Sequence, residues 1–266
     1  MTTISRWLSR NLLRVYAAFA FTFLFIPVAY VFAFSFNDYR RSNIVWRGFT
    51  VNNWLHPCDA LEICPALGNS IKIGLLSTLV ATILGTMIAF ALGRYAFRGK
   101  GAINTLIFLP MATPELVMGA SLLTIFLAMG FNPGFWTVAI AHVMFCISFI
   151  VVTVKARIAS LDPRLEQAAM DLYADEKETF RRITFPLVAP GIAGAALLAF
   201  SLSFDDFIIT YFNNGADFQT FPVFVYTHAG RGLPAQANVI ASAMFFIALI
   251  LVVAGQIVGN KRKVKA

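Results

Sequence analysis

The sequence predicts an all-α, polytopic membrane protein with about six transmembrane helices, and three observations carry that prediction. Of its 266 residues, 59% are hydrophobic and 13% charged, and its mean hydropathy is +0.74. A soluble domain carries about 25% charged and about 45–50% apolar residues, so composition argues against a disordered chain and an ordinary cytoplasmic enzyme. The apolar residues are gathered into runs close to the roughly 20 residues that a helix needs to cross a bilayer. The basic residues are biased toward alternate connections between those runs.

In chain order, runs 12–36, 71–92, 135–154, 186–212 and 239–258 qualify readily. Run 103–129 is apolar but holds Pro110, Pro114 and Glu115 near its start. Proline removes a backbone donor and clashes with the preceding turn, so a kink or break is expected there. Such a break is tolerated in a membrane where protein or a wet cavity lies alongside. The first run follows Arg6, Arg10 and Arg14 and has the basic start of a signal peptide. Its length, with no convincing small-x-small cleavage site to end it, favours an uncleaved first helix.

Six spans place both termini on one side. That side holds Arg6, Arg10, Arg14, Arg94, Arg98, Lys100, the six basic residues of 155–185 and the four of the C-terminal tail, sixteen of the 21 Lys and Arg. Arg40, Arg41, Arg47, Lys72 and Arg231 fall on the other. The positive-inside rule then puts both termini of this multi-pass membrane protein in the cytoplasm. On this reading the net charge of +8 reports topology, and nucleic acid is not an expected partner. The chain reads as one transmembrane domain, 1–266, with a connecting loop at about 155–185.

That loop reads as two short helices. Asp162 can cap the first, with Pro163 at its first position and 165–172 continuing it. Asp175 can cap the second, with Glu178 at capping-box spacing. Phe180 and Ile183 supply apolar anchors, and Pro186 starts the next span. The loop fits a docking element for a partner, or a solvated tether. On the opposite side, Cys58 and Cys64 are compatible with a disulfide or with two free thiols. Cys146, inside a span, reads as a small packed hydrophobe. His56 and His228 lie in connections, and His142 within the fourth run fits a pathway role or a helix–helix hydrogen bond. The pairs Gly191/Gly194 and Gly255/Gly259 permit close helix packing.

The sequence carries no familiar catalytic signature. The run Gly93 to Lys100 is a near miss for a phosphate-binding loop, with the wrong spacing and no preceding strand. No dinucleotide fingerprint, HExxH or nucleophile elbow is present, and no His/Cys pattern points to a metal. The chain is therefore read as a non-enzyme without catalytic residues or a bound cofactor, driven by a partner or by an ion gradient. Its most informative polar residues are acids in apolar stretches. Asp205 and Asp206 fall within run 186–212, where an Asp near a helix centre costs roughly 2.5–3.5 kcal/mol. On a continuous helix they would point about 100° apart. With Glu115, beside Pro114, they are the candidate pathway residues for a cation; structural hydrogen bonding is the alternative.

At the loop, the sequence resembles the permease subunits of binding-protein-dependent ABC importers. Their motif reads E-A-A, then Gly, then I-x-L-P. Here Gln167-Ala168-Ala169, Tyr173 and Ile183-Thr184-Phe185-Pro186 keep that register, with Gln for Glu, Tyr for Gly and Phe for Leu. Glu166 precedes the Gln but points about 100° away, so it does not simply replace the family acid. The family glycine lies at the turn between the two helices. A tyrosine there is strained if φ is positive, or fills a groove on an adapted ATPase. Residues 109–115, 203–209 and 220–226 are similar to spermidine/putrescine permeases of the PotC type, and the resemblance covers most of the chain.

The resemblance implies an ABC type I importer permease fold and a heterodimer with a homologous second permease. It further implies a cytoplasmic ATPase dimer that holds ATP and Mg, and an extracytoplasmic polyamine-binding protein. Leu165, Glu166, Gln167, Ala168, Ala169, Asp171, Tyr173, Ile183 and Pro186 would form the coupling element. The alternatives are an ABC permease for another solute, such as ferric iron, an amino acid or an opine, and an ATP-independent channel or secondary transporter.

Overall fold

The computed structural model describes residues 3–39, 44–60, 62–230 and 232–263, with side chains over 11–250 of that set and at 252–253. Arg40, Arg41 and Arg231, the Gly255/Gly259 packing and the basic side chains near both ends lie outside this description. Regular structure among the described residues is helical, apart from one antiparallel bridge between Asn37 and Phe49. The helices are α1 (Thr3–Phe34), α2 (Asn52–Leu55), α3 (Ile63–Arg94), α4 (Lys100–Ala112), α5 (Glu115–Ala128), α6 (Phe135–Ala159), α7 (Arg164–Asp171) and α8 (Glu176–Thr179). A π-helical turn, Phe180–Thr184, leads into α9 (Phe185–Phe204), followed by α10 (Ile208–Asn213), α11 (Phe221–Ala229) and α12 (Ala235–Lys263).

Four described helical stretches are long and apolar enough to cross a membrane: Asn11–Phe34, Ile63–Arg94, Phe135–Ala159 and Glu176–Phe204. The pair α4 and α5 makes a fifth if a bent pair is one span, and the apolar stretch Ala235–Ile250 of α12 is shorter. The sequence reading counted six. The difference arises at the broken third run; the last run, 239–258, extends past the residues described with side chains.

The third run breaks where expected. Helices α4 and α5 meet at 107°. Pro114 drives its predecessor Thr113 into extended backbone, φ −79° and ψ 132°, the conformation a following proline favours. Pro110 lies inside α4 without ending it.

The fifth run departs from expectation at both ends. Helix runs on from Glu176 to Phe204 instead of starting at Pro186. The π-helical turn accommodates Pro186, which has no N–H to offer a carbonyl four residues back. At the far end the helix stops at Phe204 and restarts at Ile208, so Asp205 and Asp206 occupy a break and not a continuous span.

Contacts divide the chain into Met1–Cys64 with Val225–Ala266, and Pro65–Phe224. In the first unit α1 packs on α12 through Phe25 against Phe245 and Phe32 against Phe246, edge to face at 6.3 and 5.2 Å. The remainder of α1 presents Leu13, Phe19 and Phe23 outward, as a lipid-facing helix does. The connection after α1 is pinned by Trp54, whose Nε1 donates to Ser35 Oγ at 2.9 Å, and by Asn53, which donates to the Ser35 and Asn37 carbonyls. Cys58 and Cys64 are joined as a disulfide, which settles that alternative.

In the second unit α6 is the central helix and packs along α9. Phe145, Cys146, Ile150 and Val154 from α6 meet Val188, Ala195 and Ala199 from α9 and Ala89 and Leu92 from α3. Cys146 is the packed hydrophobe expected. Gly191 permits the close approach: a Cβ there would lie 2.6 Å from Arg157 Cγ.

Candidate functional site

Two places in the second unit gather the residues singled out from sequence. The first is the connection from α6 to α9. Asp162 Oδ1 accepts from the Arg164 N–H at 2.9 Å and Asp175 Oδ1 from the Glu178 N–H at 2.6 Å, so both expected caps form. Helix α7 has no fully buried residue. Leu165, Gln167, Ala168, Met170 and Asp171 face outward, and Glu166 and Ala169 face inward. Ile183 is half-buried in the π-helical turn and Pro186 is exposed.

The turn after α7 is a Schellman motif. The Tyr173 N–H donates to the Met170 carbonyl at 2.9 Å and the Ala174 N–H to the Ala169 carbonyl at 3.1 Å. That closure requires left-handed backbone at Tyr173, where φ is 64°, a position normally filled by glycine. Of the two possibilities left by sequence, positive φ is therefore present. The Tyr173 side chain is 99% exposed and its neighbour Leu172 82%, so neither gains compensating contacts within the chain.

The second place is the break between α9 and α10. Asp205 is exposed and Asp206 is buried. Asp206 accepts from the Ile209 N–H at 3.3 Å, the Thr210 N–H at 2.8 Å and the Thr210 hydroxyl at 2.8 Å. It thereby caps the first turn of α10. An Asp side chain competes well with backbone carbonyls for such donors, which is why it starts helices more often than it sits inside them.

His142 Nε2 lies 2.9 Å from Thr210 Oγ1 and 3.3 Å from Asp206 Oδ2, and its Nδ1 lies 2.7 Å from Ser203 Oγ. Ser203 Oγ lies 2.9 Å from Ser77 Oγ on α3. His142 thus follows the helix–helix alternative. The network ties α3, α6, α9 and α10 around the break, and its members are nearly free of solvent.

Glu115 begins α5 and is exposed. Its helix packs along α10, with Asn213 Nδ2 donating to the Gly119 carbonyl at 3.2 Å. The two interrupted runs therefore adjoin. Of the three acids, Glu115 and Asp205 keep accessible carboxylates, and Asp206 is engaged internally. Along α3, the hydroxyls of Thr78, Thr82 and Thr86 are buried without a hydrogen-bond partner. Ser77, Ser203, Thr210 and Thr184 were not singled out from sequence, because an isolated hydroxyl in an apolar run carries no signal of its partners. Among the described residues no cluster of three metal-ligating side chains occurs.

The described residues combine an outward-facing helix, α7, in the connection from α6 to α9 with two interrupted apolar runs. Residues 81–260 match the model of the binding-protein-dependent transport system inner membrane component family. The chain belongs to this family. It is 33% identical to the spermidine/putrescine transport system permease protein PotC of Haemophilus influenzae, over 97% of this chain and 99% of that one. Against the PotC protein of Escherichia coli K12 it is 34% identical, over 86% of each. Among solved structures it is similar to a bacterial ABC transporter involved in the import of the acidic polysaccharide alginate, with TM-score 0.69, 16% identity and coverage of 96% and 98%.

The permease is therefore an all-α, multi-pass inner-membrane subunit of an ABC importer with the type I fold. It is a transport component and not an enzyme. Importers of this architecture combine the permease with a periplasmic binding protein and a cytoplasmic ATPase.

Proposed function

We propose that this permease carries polyamines, spermidine and putrescine, into the cytoplasm as one half of a membrane heterodimer. The observation that carries the reading is the near full-length likeness to the Haemophilus influenzae spermidine/putrescine permease. Six spans, with α4–α5 as a broken one and α12 as the last, put both termini and α7 in the cytoplasm by the positive-inside rule.

On that topology the coupling element is Leu165, Glu166, Gln167, Ala168, Ala169, Asp171 and Tyr173, supported by Ile183 and Pro186. An ATPase dimer holding ATP and Mg grips its exposed face. A polyamine-binding protein delivers cargo to the opposite side. ATP-driven closure of the ATPases moves α7, opens the bundle outward and resets it after hydrolysis.

Exposed carboxylates suit a polyamine by charge, and apolar walls suit its methylene segments. Asp205 and Glu115 are the first acids it meets. Asp206 joins them when α10 moves and releases its carboxylate. A site of moderate affinity serves transport better than a tight one, which would trap the cargo.

The test is ATPase activity of the reconstituted importer. Spermidine or putrescine is expected to stimulate hydrolysis only when the cognate binding protein is present. Stimulation by another solute and none by polyamines would assign a different cargo. Cargo uptake by the chain alone would remove the ATPase from the account.

A further inference from the structure

One residue of the coupling element, Glu166, has partners that the reading above does not use. Glu166 Oε1 pairs with Arg94 Nη2 at the end of α3 and accepts from Thr184 Oγ1 at 2.6 Å. Arg94 Nη2 also donates to Thr184 Oγ1 at 3.1 Å. The three side chains close a triangle between the last residue of α3, the first turn of α7 and the π-helical turn that enters α9. The Arg94 guanidinium lies 5.8 Å from the centre of the Phe90 ring, and Phe90 meets Phe180 edge-on at 5.2 Å. An aromatic contact thus reinforces the polar one.

An eight-residue helix is marginal by itself, so a few tertiary bonds decide how α7 lies. Glu166 supplies such bonds from the face opposite to the exposed one. A fully exposed ion pair contributes little. Here the Arg94 and Glu166 side chains are only 30% and 27% exposed, and both are anchored on Thr184, which is buried. Arg94 is also the end of the helix that carries Ser77 into the buried network at Ser203. A rigid helix joining two polar clusters is a physical route for coupling.

We propose that Glu166, Arg94 and Thr184 form a strut that makes α7 and the end of α3 move as one body. Displacement of α7 then reaches the break at Asp206 through α3 and Ser77 as well as through α9. The proposal rests on the reading of α7 as the ATPase-docking helix. Glu166 is a positioning residue: it acts through α3 and touches neither nucleotide nor cargo. It also gives the displaced acid of the family motif a use that its 100° offset predicts, inward instead of toward the ATPase.

The test uses the complete importer in proteoliposomes, with Arg94→Glu, Glu166→Arg and the double exchange, each read as spermidine taken up per ATP hydrolysed. Each single variant is expected to lower that ratio by about fivefold or more, with ATPase still bound, and the exchange to restore at least half of it. A cross-linking probe at Ala168→Cys reports docking separately. Failure of the probe to reach the ATPase in the otherwise unaltered permease overturns the docking reading, and the strut with it. Retained cross-linking with an unchanged ratio in both single variants, or a double exchange no better than the singles, overturns the strut alone.

Discussion

Tyr173 and Asp206 both stand where helix is interrupted, and the chain treats them in opposite ways. Tyr173 holds left-handed backbone in a turn where its ring and the Leu172 side chain stand in the open. Asp206 sits at a break of similar abruptness, yet its carboxylate is buried and receives three hydrogen bonds with His142 beside it. The turn keeps strain and exposed apolar surface without internal return. The break satisfies its polar groups from within. On the proposed reading, the uncovered turn is completed by the ATPase, while the saturated break holds the chain's own helices together. Asp205 and Asp206 repeat the lesson at adjacent positions: one carboxylate is exposed, the other enclosed.

The contrast is broken most sharply at the enclosed acid. Asp206→Ala removes the α10 cap and leaves Thr210 and His142 short of a partner, and is expected to destabilise the purified permease by about 3 kcal/mol. Thermal unfolding in detergent measures this, and an unchanged Tm would mean that the network does not hold the break. At the exposed face, Ala168→Arg introduces bulk and charge into the proposed docking surface. We expect ATPase affinity in pull-down titrations to fall about tenfold or more, with the permease folded normally. Normal assembly and transport in that variant would relocate the docking surface.

Between these extremes lies Asp205→Asn. Unfolding should stay within about 0.5 kcal/mol of the parent, as for an exposed side chain, while the KM for spermidine uptake rises. A loss of stability with unchanged KM would reverse the roles of the two acids. Tyr173→Gly is expected to act in the opposite direction, as a modest stabilisation. Relief of the left-handed residue should add about 1 kcal/mol of stability, visible as a raised Tm, and a loss of ATPase affinity in the same variant would show that the strained tyrosine serves the partner.

Much of this was legible in the sequence for local reasons. Pro114 broke its helix because a proline constrains the residue before it, and Asp162 and Asp175 capped theirs because the donors lie two and three residues on. The motif register at Gln167, Tyr173 and Pro186 marked the connection of short helices between α6 and α9. The break at Asp205 was hidden, because an apolar run on both sides masks a cap that acts only on its own next turn. Continuity from α8 into α9 was hidden by Pro186, which reads as a helix start until the wider π-helical turn is seen. The bond from Arg94 to Glu166 spans a separation of 72 residues, and nothing in either local pattern marks the other. His142 stood out as polar in an apolar run, but its partners were fixed only by the packing of α6 on α9 and α10.

The central claim is that this permease moves polyamines through a path worked by a docked ATPase. Radiolabelled spermidine uptake into proteoliposomes holding both permeases and the ATPase dimer tests it directly, with binding protein outside and ATP inside. The account predicts saturable uptake that disappears when either the binding protein or ATP is left out, and that putrescine reduces. Spermidine entry independent of ATP, or no spermidine entry while the same vesicles import another solute, would contradict it.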